Sequence, residues 1–163
     1  MNASADPLSP DAESFAALLR PGGRLMGIDL GTKTIGVALS DVGRQVASPF
    51  ETLKRTKFGP DSQRLADIAR AHGVCGIVVG FPLNMDGTVG PRAQASRAFA
   101  RNIAAALSLP VLLWDERMST MAVERTLIEA DLSRAKRAEV VDRAAAAYIL
   151  QGVLDRLSRL ARP

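Results

Sequence analysis

One segment of the chain, Val74–Phe81, has eight consecutive residues without a charged side chain. Its sequence, VCGIVVGF, is almost uninterrupted in its apolar character. Such a run predicts a strand that is covered on both faces, because a strand with one exposed face alternates polar and apolar residues. This strand therefore requires other elements of the chain to pack on both sides of its sheet.

The rest of the chain predicts further strands and helices around this segment. Three strand-like segments precede it, and the short turns between them favour antiparallel neighbours. The predicted elements are strands over 25–30, 35–40, 45–53, 74–81 and 111–114, and helices after Pro60, over 91–107, from Ser119 or Thr120, and from Ser133. This order predicts an α/β fold, a mixed sheet of three antiparallel strands and then two parallel strands, flanked by helices.

The first 23 residues differ in composition from the rest of the chain. Residues 1–8 are mostly small or polar and include a proline, which predicts a disordered tail, and Ser9-Pro10 then predicts a helix start. We expect residues 1–23 to form a partly disordered extension outside a single domain over residues 24–160. Deletion of this extension is expected to change thermal stability little.

Composition limits the chemistry that the chain can carry. Its 163 residues include one cysteine, Cys75, and one histidine, His72. These numbers exclude an internal disulfide, a cysteine-based zinc site and a multi-histidine metal site, so a bound metal would need carboxylate ligands. The net charge of +4 mildly favours a polyanionic partner. Because no apolar run approaches the ~18 residues of a membrane span, we expect a soluble, cytoplasmic protein without a membrane partner.

Asp29 lies within the apolar segment 25–30 and is followed by Gly31, Thr32 and Lys33. Burial of an ionised carboxylate is costly unless a cation or hydrogen-bond donors compensate for it. The pattern is shared by nucleases that bind metal through carboxylates and by actin-like phosphotransferases. An aspartate that only stabilises the turn at Gly31 explains it equally well.

A polar loop follows the buried strand and leads directly into a helix start at Pro91. Backbone N–H groups at a helix N-terminus, with Arg92 beside them, suit a phosphate. An ordinary connection with a turn at Asp86-Gly87 explains the same residues.

Two adjacent carboxylates, Asp115 and Glu116, follow the strand over 111–114, where open α/β sheets place their sites. Successive strand residues face opposite sides, so one of the pair is expected to enter the site, and these residues alone do not say which. Helix capping with a salt bridge to Arg117 is the alternative.

Asp142 shares a face of the last helix with Ala145, Ala146 and Ile149. A carboxylate on this alanine-rich packing face needs a partner, either in a shared site or as a buried pair with an arginine. Three basic residues precede it, and they fit either a phosphate-binding surface or a solvated helix face: Arg134, Lys136 and Arg137.

Together these motifs resemble the YqgF family, also called the RuvX family, of ribonuclease-H-like fold. The resemblance covers residues 24 to about 157 and rests on four motifs in order: MGIDLGTKTIGVALSD, GFPLNMDGTVGPRA, WDERMST and KRAEVVDRAAAAYILQG. The family's three acidic positions match Asp29, Glu116 and Asp142. The resemblance implies that these three residues are catalytic and bind the metal.

The resemblance implies a nuclease that hydrolyses phosphodiester bonds with Mg²⁺ or Mn²⁺, the ions that oxygen ligands select. Its substrate would be the 5′ end of precursor 16S rRNA; the alternatives are cleavage of a DNA Holliday junction, or nucleic-acid binding without cleavage. The chain would act as a monomer or homodimer. An actin-like ATPase is disfavoured, because a second Asp-Gly-Gly loop is missing and the chain is too short for two lobes. The residues expected to bind the substrate are Lys33, Asn84, Arg92, Arg117, Arg134, Lys136 and Arg137.

Overall fold

The computed structural model describes residues 6–118 and 134–162, with side chains described for residues 6–117 and 143–162. Its elements are β1 (Leu8–Ser9), α1 (Ala12–Leu18), β2 (Arg24–Leu30), β3 (Thr34–Ser40), β4 (Ala47–Lys54), α2 (Phe58–His72), β5 (Val74–Phe81), α3 (Pro91–Leu107), β6 (Val111–Asp115), a 3₁₀ turn (Glu116–Met118) and α4 (Arg134–Ala161). The helix expected to begin at Ser119 or Thr120 lies outside the described residues.

The described strands form one mixed sheet in the order β1-β6-β5-β2-β3-β4. β2, β3 and β4 are antiparallel neighbours, whereas β5 and β6 run parallel to β2. The predicted α/β fold, with three antiparallel strands followed by two parallel ones, is confirmed. The strand β1, which pairs in parallel with β6 at the edge, was not predicted.

Helices cover both faces of this sheet, as the apolar run in β5 predicts. On one face, Ile77 and Val79 of β5 pack in a core cluster with residues of α2 and α3. On the other face, Val78 packs with residues of α1 and α4. Since alternate side chains of one strand enter two separate cores, neither face of β5 could carry polar residues at its centre.

Glycine and proline mark the boundaries of the helices on the first face. α2 ends where Gly73 adopts a left-handed conformation with φ of 65° and its N–H bonds to the Ala69 carbonyl, a conformation that favours glycine. α3 begins with Pro91 in its first turn, where the missing N–H costs no hydrogen bond. This places the start of α3 at the end of the loop that follows β5.

Residues 8–19 pack on the domain, which corrects the expectation that this part of the chain lies outside it. Residues 1–5 lie outside the described residues. Leu8 is 9% exposed and Phe15 is fully buried. Phe15 and Leu19 lie over Gly76 of β5, where a Cβ would come within 3.0 Å of Phe15 Cζ and 2.5 Å of Leu19 Cδ2. The segment thus occupies the space that a missing side chain leaves on β5.

This packing was missed for a physical reason. β1 has only two residues, and its pairing depends on the free edge of β6 rather than on its own sequence. Ion pairs also join the segment to the domain, between Asp6 and Arg101 (3.1 Å) and between Glu13 and Arg156 (2.9 Å). Deletion of the segment is therefore expected to lower stability, contrary to the expectation from sequence.

Candidate active site

Asp29 lies in β2 and is 4% exposed. The alternation of β2 divides its residues between the two faces of the sheet. Met26, Ile28 and Leu30 pack with α2 and α3, whereas Leu25 packs with α4. Asp29 is four residues after Leu25, so its side chain belongs to the face that α4 covers.

Glycines surround Asp29 on this face. Gly36 of β3 is its antiparallel partner, and Gly80 follows Val79, the last residue of β5 that is paired with β2. Neither neighbouring strand therefore places a side chain beside Asp29. Gly27, two residues earlier, allows α4 to approach so closely that a Cβ there would lie 2.7 Å from the Ala146 carbonyl oxygen.

Glu116 fills part of the space that these glycines leave. It is the first residue of the 3₁₀ turn after β6 and is partly buried. A Cβ on Gly80 would lie 3.3 Å from the carboxyl carbon and from Oε2 of Glu116. Gly80 continues the register that pairs Ile28 with Val79, so Asp29 and Glu116 lie on the same face at the carboxyl ends of the parallel strands.

Asp115 has a different set of partners. Its carboxylate accepts three hydrogen bonds from Arg117: from the backbone N–H (2.9 Å), from Nε (3.1 Å) and from Nη2 (2.8 Å). The Arg117 guanidinium holds the pKa of Asp115 below its ordinary value of 3.8. Because the pKa is lowered in the folded state, this interaction stabilises the fold at higher pH and is lost as the pH falls through the lowered pKa. Of the two adjacent acids, Glu116 lies over Gly80, and Asp115 is bonded to Arg117.

The backbone of α4 carries Asp142 toward the same edge. Gln151 Oε1 accepts a hydrogen bond from the backbone N–H of Ala47 (2.8 Å), which lies level with the beginning of β2. Ala146, earlier in α4, lies over Gly27. One helical turn earlier, position 142 lies about 6 Å farther along the axis. Asp29 lies about 6.6 Å beyond Gly27 on β2, so the backbone of residue 142 reaches the level of Asp29; its side chain lies outside the described residues.

The residues expected to bind phosphate are distributed around this edge. Lys33 is exposed in the loop after β2, and Arg92 is exposed in the first turn of α3. Arg55, which sequence reasoning missed, fixes the loop of Lys33: its Nη1 donates to the Gly31 carbonyl (2.7 Å) and its backbone N–H to the Lys33 carbonyl (2.8 Å). No sequence motif points to Arg55, because its partners are backbone carbonyls.

Asn84 is bonded inside the loop between β5 and α3. Its Nδ2 donates to Thr88 Oγ1 (2.8 Å), and its backbone N–H donates to the Thr88 carbonyl (3.0 Å). Arg117 reaches this loop through a hydrogen bond from Nη1 to the Met85 carbonyl (3.2 Å). That Asn84 and Arg117 bind substrate stays a prediction. So does the role of the basic residues of α4, whose side chains are not described: Arg134, Lys136 and Arg137.

The donor chemistry of the site fits a hard divalent cation. Asp29 and Glu116 offer carboxylate oxygens, the ligands that Mg²⁺ and Mn²⁺ prefer. Among the described residues, no group of three or more His, Cys, Asp or Glu side chains could hold a metal ion. The third acid implied by the resemblance, Asp142, belongs to the side chains that are not described.

The sequence of this domain also matches a known family. Residues 23–156 match the family described as "RuvX: Holliday junction resolvase". The chain belongs to the RuvX family. The match includes both described carboxylates and the position of the third, so the site lies wholly within the part of the chain that defines RuvX proteins.

Curated relatives of this RuvX chain are closely similar along most of its length. A protein of Rhizobium etli (strain CIAT 652) named "Putative pre-16S rRNA nuclease" is 57% identical over 150 residues, 92% of each chain. A protein of the same name from Cereibacter sphaeroides (strain ATCC 17025 / ATH 2.4.3) is 59% identical over 150 residues, 92% of this chain and 94% of its own. Matches of this length in a 163-residue chain must include residues 14–22, so they extend into α1.

Solved structures support the ribonuclease-H-like fold of RuvX. Thermus thermophilus RuvC in complex with a Holliday junction substrate is 15% identical, with a TM-score of 0.54 over 83% of this chain and 96% of that one. A second Thermus thermophilus RuvC structure gives 12% identity and a TM-score of 0.52 over the same shares. The predicted family, fold class and nuclease function are confirmed. Within the described parts of the chain, no helix is long and apolar enough to cross a membrane.

Proposed function

We propose that this nuclease uses divalent metal ions to hydrolyse phosphodiester bonds of precursor 16S rRNA at its 5′ end, in the cytoplasm. The observation that carries the proposal is the position of Asp29 and Glu116 on one face and one edge of the sheet, in space left by Gly36 and Gly80. Two close carboxylates disfavour each other's ionised form unless a cation lies between them. The site is therefore suited to bind cations and, through them, phosphate.

Asp29 and Glu116 would hold the metal, with Asp142 as the third ligand. Mg²⁺ or Mn²⁺ bound there would supply an activated water and would stabilise the leaving oxygen. Gly36 and Gly80 leave space for the Asp29 side chain, and α4 packs over this face of the sheet. Lys33 and Arg92, both exposed at this edge, would hold phosphates on either side of the scissile bond.

The names of the relatives support RNA as the substrate, because proteins 57% and 59% identical to this chain are named for precursor 16S rRNA. The family description favours a second substrate, a four-way DNA junction. Both substrates offer the same phosphodiester chemistry, so the carboxylates alone do not separate them. Nucleic-acid binding without cleavage is the third outcome of the test.

The experiment compares purified protein on two end-labelled substrates, a precursor 16S rRNA fragment and a four-way DNA junction, in Mg²⁺, in Mn²⁺ and in EDTA. We expect metal-dependent cleavage of the RNA at a defined position. Glu116→Gln should remove cleavage while binding persists, since the amide keeps the shape of the side chain and loses its charge. Glu51→Gln, at an exposed pair with Arg64 away from the site, is the matched control.

Three results would contradict the proposal. Cleavage of the junction alone would move the substrate to DNA, and cleavage that persists in EDTA would remove the metal. Tight binding of RNA with no cleavage in either metal, under single-turnover conditions, would make the protein a binding factor.

A further inference from the structure

The loop between β5 and α3 is a compact unit held by its own hydrogen bonds. Besides the two bonds between Asn84 and Thr88, Asp86 Oδ1 accepts from the Thr88 backbone N–H (3.0 Å) and hydroxyl (2.6 Å). The Gly87 N–H donates to the Asn84 carbonyl (2.8 Å), with Gly87 at a φ of 88°. We refer to residues 84–88 as the β5–α3 turn. Internal bonding fixes its shape but leaves its position relative to the carboxylates undetermined.

Arg117 sets that position. Among the described side chains, its guanidinium joins the β5–α3 turn to the end of β6, through the bond from Nη1 to the Met85 carbonyl (3.2 Å). Gly87 lies beside the same group, since a Cβ on Gly87 would be in ordinary contact with Nη1 at 3.4 Å. The other side of the guanidinium is occupied by Asp115.

Asp115 acts on two structures at once. It accepts a hydrogen bond from the backbone N–H of Arg117, and this bond fixes the 3₁₀ turn that carries Glu116. It also accepts hydrogen bonds from Nε and Nη2 of Arg117, and these fix the guanidinium that holds Met85. Two parallel N–H bonds from one guanidinium to one carboxylate give a defined geometry that a lysine would not reproduce. The Asp115 carboxylate therefore holds both the turn that carries Glu116 and, through Arg117, the β5–α3 turn.

We propose that Asp115 and Arg117 are positioning residues that fix the β5–α3 turn relative to Glu116 and so align nucleic acid against the site carboxylates. This rests on the proposed nuclease function and assigns Arg117 a role within the protein rather than as a phosphate ligand. The charge on Arg117 is already paired with Asp115 in a bond of 2.8 Å. A misplacement of about 1 Å in a reacting complex lowers rates by roughly 100-fold, so a small movement of this turn is sufficient.

Two variants separate the two roles of Arg117. Arg117→Lys keeps the positive charge and loses the paired bonds, whereas Asp115→Asn leaves the guanidinium intact and free of its carboxylate. If the pair positions the turn, both variants should lower kcat by about 10- to 100-fold, and the double variant should lose little more than either single one. The dependence of binding on salt should not change.

A direct phosphate contact predicts the opposite result for Asp115→Asn, because a freed guanidinium binds phosphate at least as well. In that case Arg117→Ala would also flatten the plot of log binding constant against log salt concentration by ~0.7–0.9. Unchanged kcat in Asp115→Asn, or that loss of slope in Arg117→Ala, would overturn the proposal. Glu51→Gln serves again as the control ion-pair variant.

A second measurement does not depend on nuclease activity. Met85 is 88% exposed and Cys75 is 4% exposed, so Met85→Cys allows one spin label to be attached to the turn. We expect Arg117→Lys and Asp115→Asn to raise the mobility of this label, with melting temperatures only slightly below that of the parent because the pair is partly exposed. An unchanged label would overturn the proposal even if neither substrate is cleaved. A mobile label would show that Asp115 and Arg117 hold the turn even if the proposed function fails.

Discussion

The two faces of the central sheet use the same strands in different ways. On the face of α2 and α3, β2 presents Met26, Ile28 and Leu30, all buried among apolar side chains. On the face of α4, the same strand presents Gly27 and Asp29, and its neighbours present glycine beside Asp29. The first face forms a continuous core, whereas the second ends in a site.

The difference shows where this protein gives up stability for function. A fully buried aliphatic side chain contributes about 1.5–3 kcal/mol to folding, and the glycines on the α4 face forgo that contribution. In return, α4 comes close to β2, with the Ala146 carbonyl 2.7 Å from the position of a Cβ on Gly27, and carboxylates have room at the edge. Substitutions on the two faces should therefore change different properties.

The largest effect is expected for Asp29→Asn on the site face. Cleavage should fall to the background rate, because an amide cannot supply the anionic charge that the cations need. The melting temperature should change little, because asparagine keeps the shape of the buried side chain. Rates are measured with Mg²⁺ and Mn²⁺ at saturating substrate, and melting by circular dichroism.

Its matched control is Ile28→Val, one residue away on the opposite face. This variant should lower the free energy of unfolding by about 0.5–1.5 kcal/mol and leave cleavage unchanged. Activity retained by Asp29→Asn, or lost in Ile28→Val at a temperature where it is folded, would remove the functional distinction between the faces.

Two glycines of the site face should respond differently to alanine. In Gly80→Ala the new methyl group would lie 3.3 Å from the Glu116 carboxylate and 2.5 Å from Ile149 Cδ1, the mobile end of a side chain. We expect cleavage to fall by about 100-fold because Glu116 is displaced. In Gly27→Ala the clash is with backbone, so stability should fall by about 1–3 kcal/mol.

Urea unfolding and cleavage assays on both variants test this pair. The expected pattern is a larger loss of rate in Gly80→Ala and a larger loss of stability in Gly27→Ala. The reverse pattern would mean that Gly80 serves the packing of α4 rather than the space for Glu116.

The N-terminal helix α1 packs on the same face of the sheet as α4 and adds apolar side chains to its core. Phe15→Ala should lower the free energy of unfolding by about 3–5 kcal/mol, because the ring is fully buried over Gly76. Leu18→Ala, at a side chain 63% exposed on the same helix, should change it by no more than about 0.5 kcal/mol. Equal, small effects of both variants in urea unfolding would restore the expectation of a dispensable extension.

The smallest effect is expected beyond the site, at the start of α4. If Lys136 and Arg137 contact phosphate, replacing both with glutamine should weaken binding to every sequence and flatten the salt dependence by ~0.7–0.9 per contact. The rate at saturating substrate should change less. Binding titrations at several salt concentrations measure this, and an unchanged slope would place both residues on a solvated helix face.

Much of the fold follows from local sequence patterns. The run Val74–Phe81 could only be a strand covered on both faces, and β5 is that strand. Short turns around Gly31 and Gly43 predicted the antiparallel β2, β3 and β4. These predictions succeeded because period, chain length and turn residues are properties of neighbouring residues.

What the sequence could not decide depends on contacts between distant residues. Nothing within Leu8–Leu18 shows that Gly76, about 60 positions later, leaves space for Phe15. Likewise, Asp115 and Glu116 are equivalent as adjacent acids, and only the folded chain bonds one to Arg117 and places the other over Gly80. The sequence by itself determined which elements form and which acids are candidates. The tertiary structure decided which side chains meet, because strand pairing and helix packing bring together groups that no local pattern relates.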